Sequence, residues 1–249
     1  MRYVVAALAF LLTVSASAYD FSGNQIFVPI VSRVPGANGT QWRTDLTITN
    51  RSETFPTEVS MFFFPAGGGT PIQHKFDLDP LQTITKKDIV FGTFGILQRA
   101  GTIWMGAAND SVTLAAHARI YNTGNAAGEF GQVVHGMPPD KLPRVVWLSG
   151  LTGIDGNRTN VGIGNPNNTP AFFSITWYDK DGEVRGSVQL AVGPWDVMLI
   201  NDIFSYLGLP HDEGLTLRIR SSTHLIYAYA SVVRNDTGDA YTITGSGSE

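Results

Sequence analysis

Arg43-Thr44-Asp45-Leu46-Thr47-Ile48-Thr49-Asn50 returns further along the chain as Arg158-Thr159-Asn160-Val161-Gly162-Ile163-Gly164-Asn165, and the pairing of these two octapeptides decides the fold. The match continues outward. Pro56 meets Pro170, Ser60 meets Ser174, Pro80 meets Pro194 and Asp88-Ile89 meets Asp202-Ile203. Gly101-Thr102-Ile103 aligns with Gly214-Leu215-Thr216, and Asn122 with Asn235, so the offset drifts by only a residue or two across the chain. Such colinearity marks an internal duplication. Each copy has about 115 residues, close to the commonest domain size.

Within each copy the apolar residues alternate with period two, the mark of half-buried strands. Leu46 and Ile48 face one way, with Asp45, Thr47 and Thr49 on the other side, and Val59, Met61 and Phe63 repeat the pattern. The second copy shows it in Val161 and Ile163, then in Phe173, Ile175 and Trp177. A late strand carries Val112, Leu114, Ala116, Ala118 and Ile120 inward, matched on the same reading by Leu225, Tyr227, Tyr229, Ser231 and Val233. Turn chemistry separates these runs: Asn50-Arg51-Ser52-Glu53, Asn165-Pro166-Asn167-Asn168, Ala66-Gly67-Gly68-Gly69 and Asp179-Lys180-Asp181-Gly182. Short helical turns are expected only after Asp88 and Asp202, each read as an N-cap.

The class is therefore all-β: two tandem β-sandwich units, Ig-like or jelly-roll-like, with short helical turns. The divisions expected are a signal peptide at 1–18, a first unit at 19–137, a Pro-rich linker at 138–143 and a second unit at 144–249. The signal peptide is read from Arg2, the apolar run Val4 to Val14 and the small residues Ser15-Ala16-Ser17-Ala18, with cleavage after Ala18. The run is too short to span a bilayer, for which roughly 20 apolar residues are needed. The expected location is secreted or periplasmic, with no membrane span after cleavage.

Zero Cys in an exported chain means that stability must come from the core, and 43% hydrophobic residues supply one. A net charge of −4 argues against nucleic acid as a partner and against an electrostatic grip on anionic membranes. The 27 Gly and 13 Pro, with only 15% charged residues, suit a turn-rich β protein.

Three further segments, Val28-Pro29-Ile30-Val31, Pro35-Gly36-Ala37-Asn38-Gly39-Thr40 and Trp42-Arg43-Thr44-Asp45, form a pattern with Gly128-Glu129-Phe130-Gly131-Gln132 at the end of the first unit. In these the chain resembles a group of exported, largely uncharacterised bacterial β-sandwich repeat proteins with an Ile/Val-Pro-x-Val strand followed by Gly-rich residues and Trp-Arg-Thr-Asp. The resemblance weakens over the second unit, where Asn157 stands in place of Trp42. It implies a secreted repeat domain and brings no catalytic residues with it.

The usual hydrolase, zinc-protease and nucleotide-binding signatures are missing, and no cofactor is implied. The five histidines, His74, His117, His135, His211 and His224, show no ligand-pair spacing, and His117 reads as a surface imidazole. Arg43 with Asp45, and Arg158 with Asn160, occur in both copies and so read as structural, each guanidinium bonding a neighbouring loop's carbonyls. Function is expected where the copies differ. Asp179, Asp181 and Glu183 resemble the start of a calcium loop but equally a hairpin turn, and His211-Asp212 could hold a cation or form a polar loop. Trp195, Tyr178 and Trp147 have no aromatic counterparts and could stack on sugar rings. Alternatively, Trp42, Trp104 and Trp177 are core and Trp195 plugs the end of its sandwich.

The leading expectation is a non-catalytic module for surface structure, adhesion or protein binding. A carbohydrate-binding module using exposed aromatics is the alternative. A glycoside-processing enzyme, using Asp179 and Asp181 as an acid pair, comes third. Six Asn-x-Ser/Thr sequences, at Asn38, Asn50, Asn109, Asn157, Asn167 and Asn235, matter only in a host that glycosylates them.

Overall fold

The computed structural model describes residues 21–124 and 128–248; the expected signal peptide and its cleavage site lie outside them. The first half contains β1 (Ser22–Gly23), β2 (Gln25–Pro35), β3 (Gln41–Asn50), β4 (Thr57–Pro65), β5 (Ile72–Leu78), β6 (Thr83–Lys86), α1 (Ile89–Gly92), β7 (Arg99–Ala107), β8 (Leu114–Asn122) and β9 (Phe130–His135). The second contains β10 (Val145–Leu151), β11 (Asn157–Gly164), β12 (Ala171–Tyr178), β13 (Val184–Val192), β14 (Val197–Ile200), α2 (Ile203–Tyr206), β15 (Leu215–Arg220), β16 (Tyr227–Arg234), β17 (Ala240–Thr244) and β18 (Ser246–Ser248). All strand pairs are antiparallel, as an all-β sandwich requires.

The pairing scheme is the same in both halves. One layer runs β6-β3-β8-β9 in the first and β14-β11-β16-β17 in the second. The facing layer runs β5-β4-β7-β2 and β13-β12-β15-β10, with β18 added at its edge. In the first half the layers are joined, because β2 shifts register between Val28 and Val31 and its end pairs with Trp42 and Gln41 of β3. Leu46, Ile48, Met61, Phe63, Ile103 and Met105 fill the first core; Val161, Ile163, Phe173, Ile175, Leu217 and Ile219 fill the second.

The repeat extends to unusual backbone. Among the described residues, five non-glycine residues have positive φ, and four of them form two matched pairs: Leu81 with Trp195, and Asp88 with Asp202. Leu81 and Trp195 follow Pro80 and Pro194 in turns closed by Gln82 N–H to Asp79 carbonyl and Asp196 N–H to Gly193 carbonyl. A left-handed third residue after proline is the type II turn, which normally selects Gly. Asn50 and Asn165 are matched in the same way. Both are fully buried, and each amide donates to three loop carbonyls: Phe55, Leu78 and Asp79 in one unit, Thr169, Val192 and Gly193 in the other. Asn50 is thereby closed to glycosylation.

Two sequence expectations need correcting. Asp88 and Asp202 precede helical turns, but both residues are left-handed and neither side chain makes a capping bond to backbone; the Asp202 carboxylate instead accepts the Ser205 hydroxyl within the turn and meets His211. The late strand of the second unit is also read one residue out of phase. Leu46 pairs with Ala118 and Val161 with Ala230, so Ile226, Ala228 and Ala230 face the second core, while Tyr227 and Tyr229 point away into the first unit. Every residue of β16 except Arg234 is buried, so no polar face marks the outside.

The units pack directly on each other. The sheet β14-β11-β16-β17 lies against β2 and β9, and the Pro194-Trp195 turn leading into β14 covers part of the outer side of β4 and β7. Phe27 and Tyr227 have ring centroids 6.5 Å apart, the Tyr227 hydroxyl donates to the His135 carbonyl at 2.7 Å, and Thr242 donates to Gln132 at 3.1 Å. Thr47 and Thr49 of β3 form a hydroxyl ladder with Thr85 and Thr83 of β6, at 3.0 and 2.9 Å. Their counterparts are Gly162 and Gly164, where a Cβ would run into the rings of Tyr229 and Phe27. Those glycines permit the close approach. The segment 138–143 is stitched into this junction: Leu142 is buried, the Pro143 carbonyl accepts the Ile226 N–H at 2.8 Å, and Lys141 donates to the Ser22 carbonyl at 2.9 Å.

Candidate functional site

The outer side of β13-β12-β15-β10 faces solvent and carries Trp147 and Tyr178; strand pairing gives them the aromatic counterparts Phe27 and Phe64 in the first unit, which corrects the expectation that they have none. Trp147 on β10 stands directly across from Arg218 on β15, and Arg218 is across from Thr176 on β12. Tyr178 is two residues along β12 on the same side. The Trp147 and Tyr178 rings are 5.6 Å apart, and the Arg218 guanidinium carbon is 5.6 Å from one ring centroid and 5.8 Å from the other. The two π-faces hold the guanidinium in cation–π contact. Arg218 Nε is buried with no acceptor, and no carboxylate lies within ion-pair distance of Arg218 among the described residues.

Trp195 is not part of this group. Its ring packs on Phe64 at 5.8 Å and edge-on against Trp104 at 6.2 Å, both in the first unit, and its carbonyl accepts the Thr102 hydroxyl. The next residue, Asp196, accepts the Gly67 N–H at 3.1 Å. Trp195 therefore joins the two units, with its ring stacked on Phe64 and in edge contact with Trp104. Trp104 likewise belongs to the junction.

The acidic candidates meet at the hairpin end of the second unit. Asp179, Asp181, Asp212 and Glu213 line one cavity of about 380 Å³ together with Lys180, Arg185 and Phe204. Asp179 takes Arg185 Nε at 2.6 Å and the backbone N–H groups of Asp181 and Glu183 at 3.0 and 2.9 Å, bonds that hold its carboxyl below the ordinary range. His211 reaches Asp202 at 2.9 Å and stacks on Phe204 at 5.8 Å. No group of three His, Asp or Glu that could hold a metal ion occurs among the described residues.

The shared arginines bond differently from expectation. Arg43 donates to the neighbouring Trp42 carbonyl at 2.8 Å and lies 3.7 Å from Asp88, while Arg158 donates to the Asn235 side chain. Asp45 and Asn160 do the same job in both copies, accepting the N–H of Asp88 and of Asp202 at 3.0 Å. Burial would raise the Asp45 carboxyl, but Lys87 at 2.7 Å, the Asp88 N–H and the Tyr121 hydroxyl together hold it below the ordinary range. Burial and the Asp45 charge push the Tyr121 hydroxyl up to about 12. His117 lies on the outer, polar side of β8, half-buried, with the ring of His135 on β9 6.2 Å away.

Sequence reasoning missed Arg218, which now stands at the centre of the site. The signal was present in Leu215-Thr216-Leu217-Arg218-Ile219-Arg220, whose alternation exposes Arg218 and Arg220. Because Met61 pairs with Met105 as Ile175 pairs with Ile219, Arg218 is the counterpart of Trp104, one residue off the alignment made at Gly101 and Gly214.

No protein-family model matches the chain. No curated protein matches it. Among solved structures, the crystal structure of Thermotoga maritima 1070 is similar at 17% identity and a TM-score of 0.37, over 44% of this chain and 97% of that one. A lectin from Pleurotus ostreatus in complex with GalNAc is similar at 13% identity and a TM-score of 0.22, over 90% of this chain and 76% of that one. Among the described residues, no helix is long and apolar enough to cross a membrane.

Proposed function

We propose that the protein is a non-catalytic, exported carbohydrate-binding module that uses the open sheet face of its second unit. The observation that carries this reading is the Trp147–Arg218–Tyr178 group. Two adjacent aromatic rings on a hydroxyl-bearing sheet face present an apolar surface to the C–H face of a sugar ring, with polar groups beside it to receive hydroxyls. Ser174, Thr176, Ser187 and Gln189 supply those groups. Attachment to glycans would make the protein an adhesion or surface-structure module.

The reading is tested by titrating polysaccharides while following Trp fluorescence, alongside a broad glycan array. Saturable quenching that disappears in Trp147→Ala is expected. Silence across the array, with the protein folded, would overturn the reading.

A further inference from the structure

The five strands of the open sheet, β10, β12, β13, β15 and β18, contain no Asp or Glu, although the chain as a whole carries a net charge of −4. They do contain three arginines. Arg185 is paired with Asp179, but Arg218 and Arg220 have no carboxylate partner among the described residues. The acids nearest this face, Asp179, Asp181 and Glu183, lie in the hairpin beyond Tyr178, where Asp179 is paired with Arg185; the two unpaired guanidiniums at the middle of the face create a local positive field there, which selects anions. A guanidinium also offers a planar fork of donors that fits a carboxylate or a sulfate oxygen pair.

The face also has a direction. Phe172, Ser174, Thr176 and Tyr178 all lie on the outer side of β12, and Phe172 is 71% exposed, an unusual position for a large apolar ring. Tyr178 lies six residue steps along the strand from Phe172, a span of about 20 Å. Arg220 and Arg218 stand between these ends, across from Ser174 and Thr176. A single sugar ring cannot bridge that distance, whereas a chain of several can.

Resting on the carbohydrate-binding reading, we propose that this face binds an extended anionic polysaccharide, with sugar rings on Trp147 and Tyr178 at one end and on Phe172 at the other, and acidic groups on Arg218 and Arg220. The ligand lies along β12. Its charge is recognised at the middle of the track and its length at the ends.

Binding of the whole protein to polygalacturonate and dextran sulfate, with unsulfated dextran and cellohexaose as neutral controls, tests the proposal by calorimetry at low and high salt. One or both anionic polymers should bind more tightly than the neutral ones, and salt should weaken that binding. Arg220→Gln, at an exposed position that leaves the core untouched, should lower the anionic affinity about tenfold and flatten its salt dependence. Arg218→Gln should do the same where its melting curve matches the parent. Phe172→Ala should weaken binding of the polymer and leave digalacturonate unaffected. Neutral glycans binding as tightly as anionic ones, or an unchanged Arg220→Gln, would overturn the charge assignment while the carbohydrate reading stands. Unchanged polymer affinity in Phe172→Ala would overturn the extended track. If none of these probes binds and the array is silent, both readings fall together.

Discussion

The outer sides of β5-β4-β7-β2 and β13-β12-β15-β10 are the same surface of the same fold, and they have opposite fates. In the first unit that surface is aromatic, with Phe27, Phe62, Phe64 and Trp104, and it is covered where Trp195 and Tyr227 of the second unit lie on it. In the second unit the matching positions hold Trp147, Thr176, Tyr178 and Arg218, and no strand among the described residues lies over them. The difference shows what a duplicated sandwich does with its spare faces. One apolar face is consumed in holding the copies together, which leaves its counterpart free to acquire polar and charged groups for a ligand. A guanidinium at position 104 would be desolvated without a partner, while at position 218 it remains half open and flanked by rings.

The most severe way to break this comparison is to exchange the chemistry. Trp104→Arg should destabilise the protein by about 3 kcal/mol or more, combining lost ring packing with an unpaired charge at the junction. Chemical denaturation measures it, and a change within error would mean that the junction does not form as described. Trp195→Ala removes the ring that covers the face and should cost about 2 kcal/mol, less than a fully buried Trp because Trp195 is only half-buried. Glycan affinity should survive in Trp195→Ala at temperatures where the protein stays folded. Trp147→Ala should show the reverse pattern: an affinity loss of about tenfold, or ~1.4 kcal/mol, with a melting temperature close to the parent's.

The smallest expected effect concerns Asp45 and its counterpart Asn160, which accept the same kind of bond at the same distance. Because the folded Asp45 carboxyl lies below its ordinary value of 3.8, its contribution is present above that value and lost as the pH falls through the lower folded one. Asp45→Asn keeps an acceptor but cannot titrate. Its melting temperature should therefore fall less steeply than the parent's below about pH 4, by a difference of about 2 °C. Parallel acid profiles would show that Lys87 and Tyr121 do not hold the carboxylate in the folded protein.

Much of the fold was legible because its determinants are local. Period-two alternation in Leu46, Ile48, Met61 and Phe63, and in their counterparts, reports which side of a strand is buried. Pro80 and Pro194 announced matched turns, although their left-handed partners Leu81 and Trp195 did not, since neither is the glycine such turns favour. The phase of β16 was lost because Tyr227 and Tyr229 are as buried as Ala228 and Ala230. Of the site, Trp147 and Tyr178 could be singled out as aromatics lacking a counterpart, but strand pairing matches them to Phe27 and Phe64, and the same test also chose Trp195.

From its residues alone this chain determines an all-β class and a duplicated pattern of strands and turns, because alternation and turn chemistry act over a few neighbouring residues. Tertiary structure alone decides which buried face meets the sister unit, why Gly162 and Gly164 replace Thr47 and Thr49, and which aromatic remains in solvent. A side chain's hydrophobicity records that it is withdrawn from water. What it is withdrawn against depends on residues far away in sequence, and at Trp195 and Trp147 that distinction separates a structural clasp from a candidate binding surface.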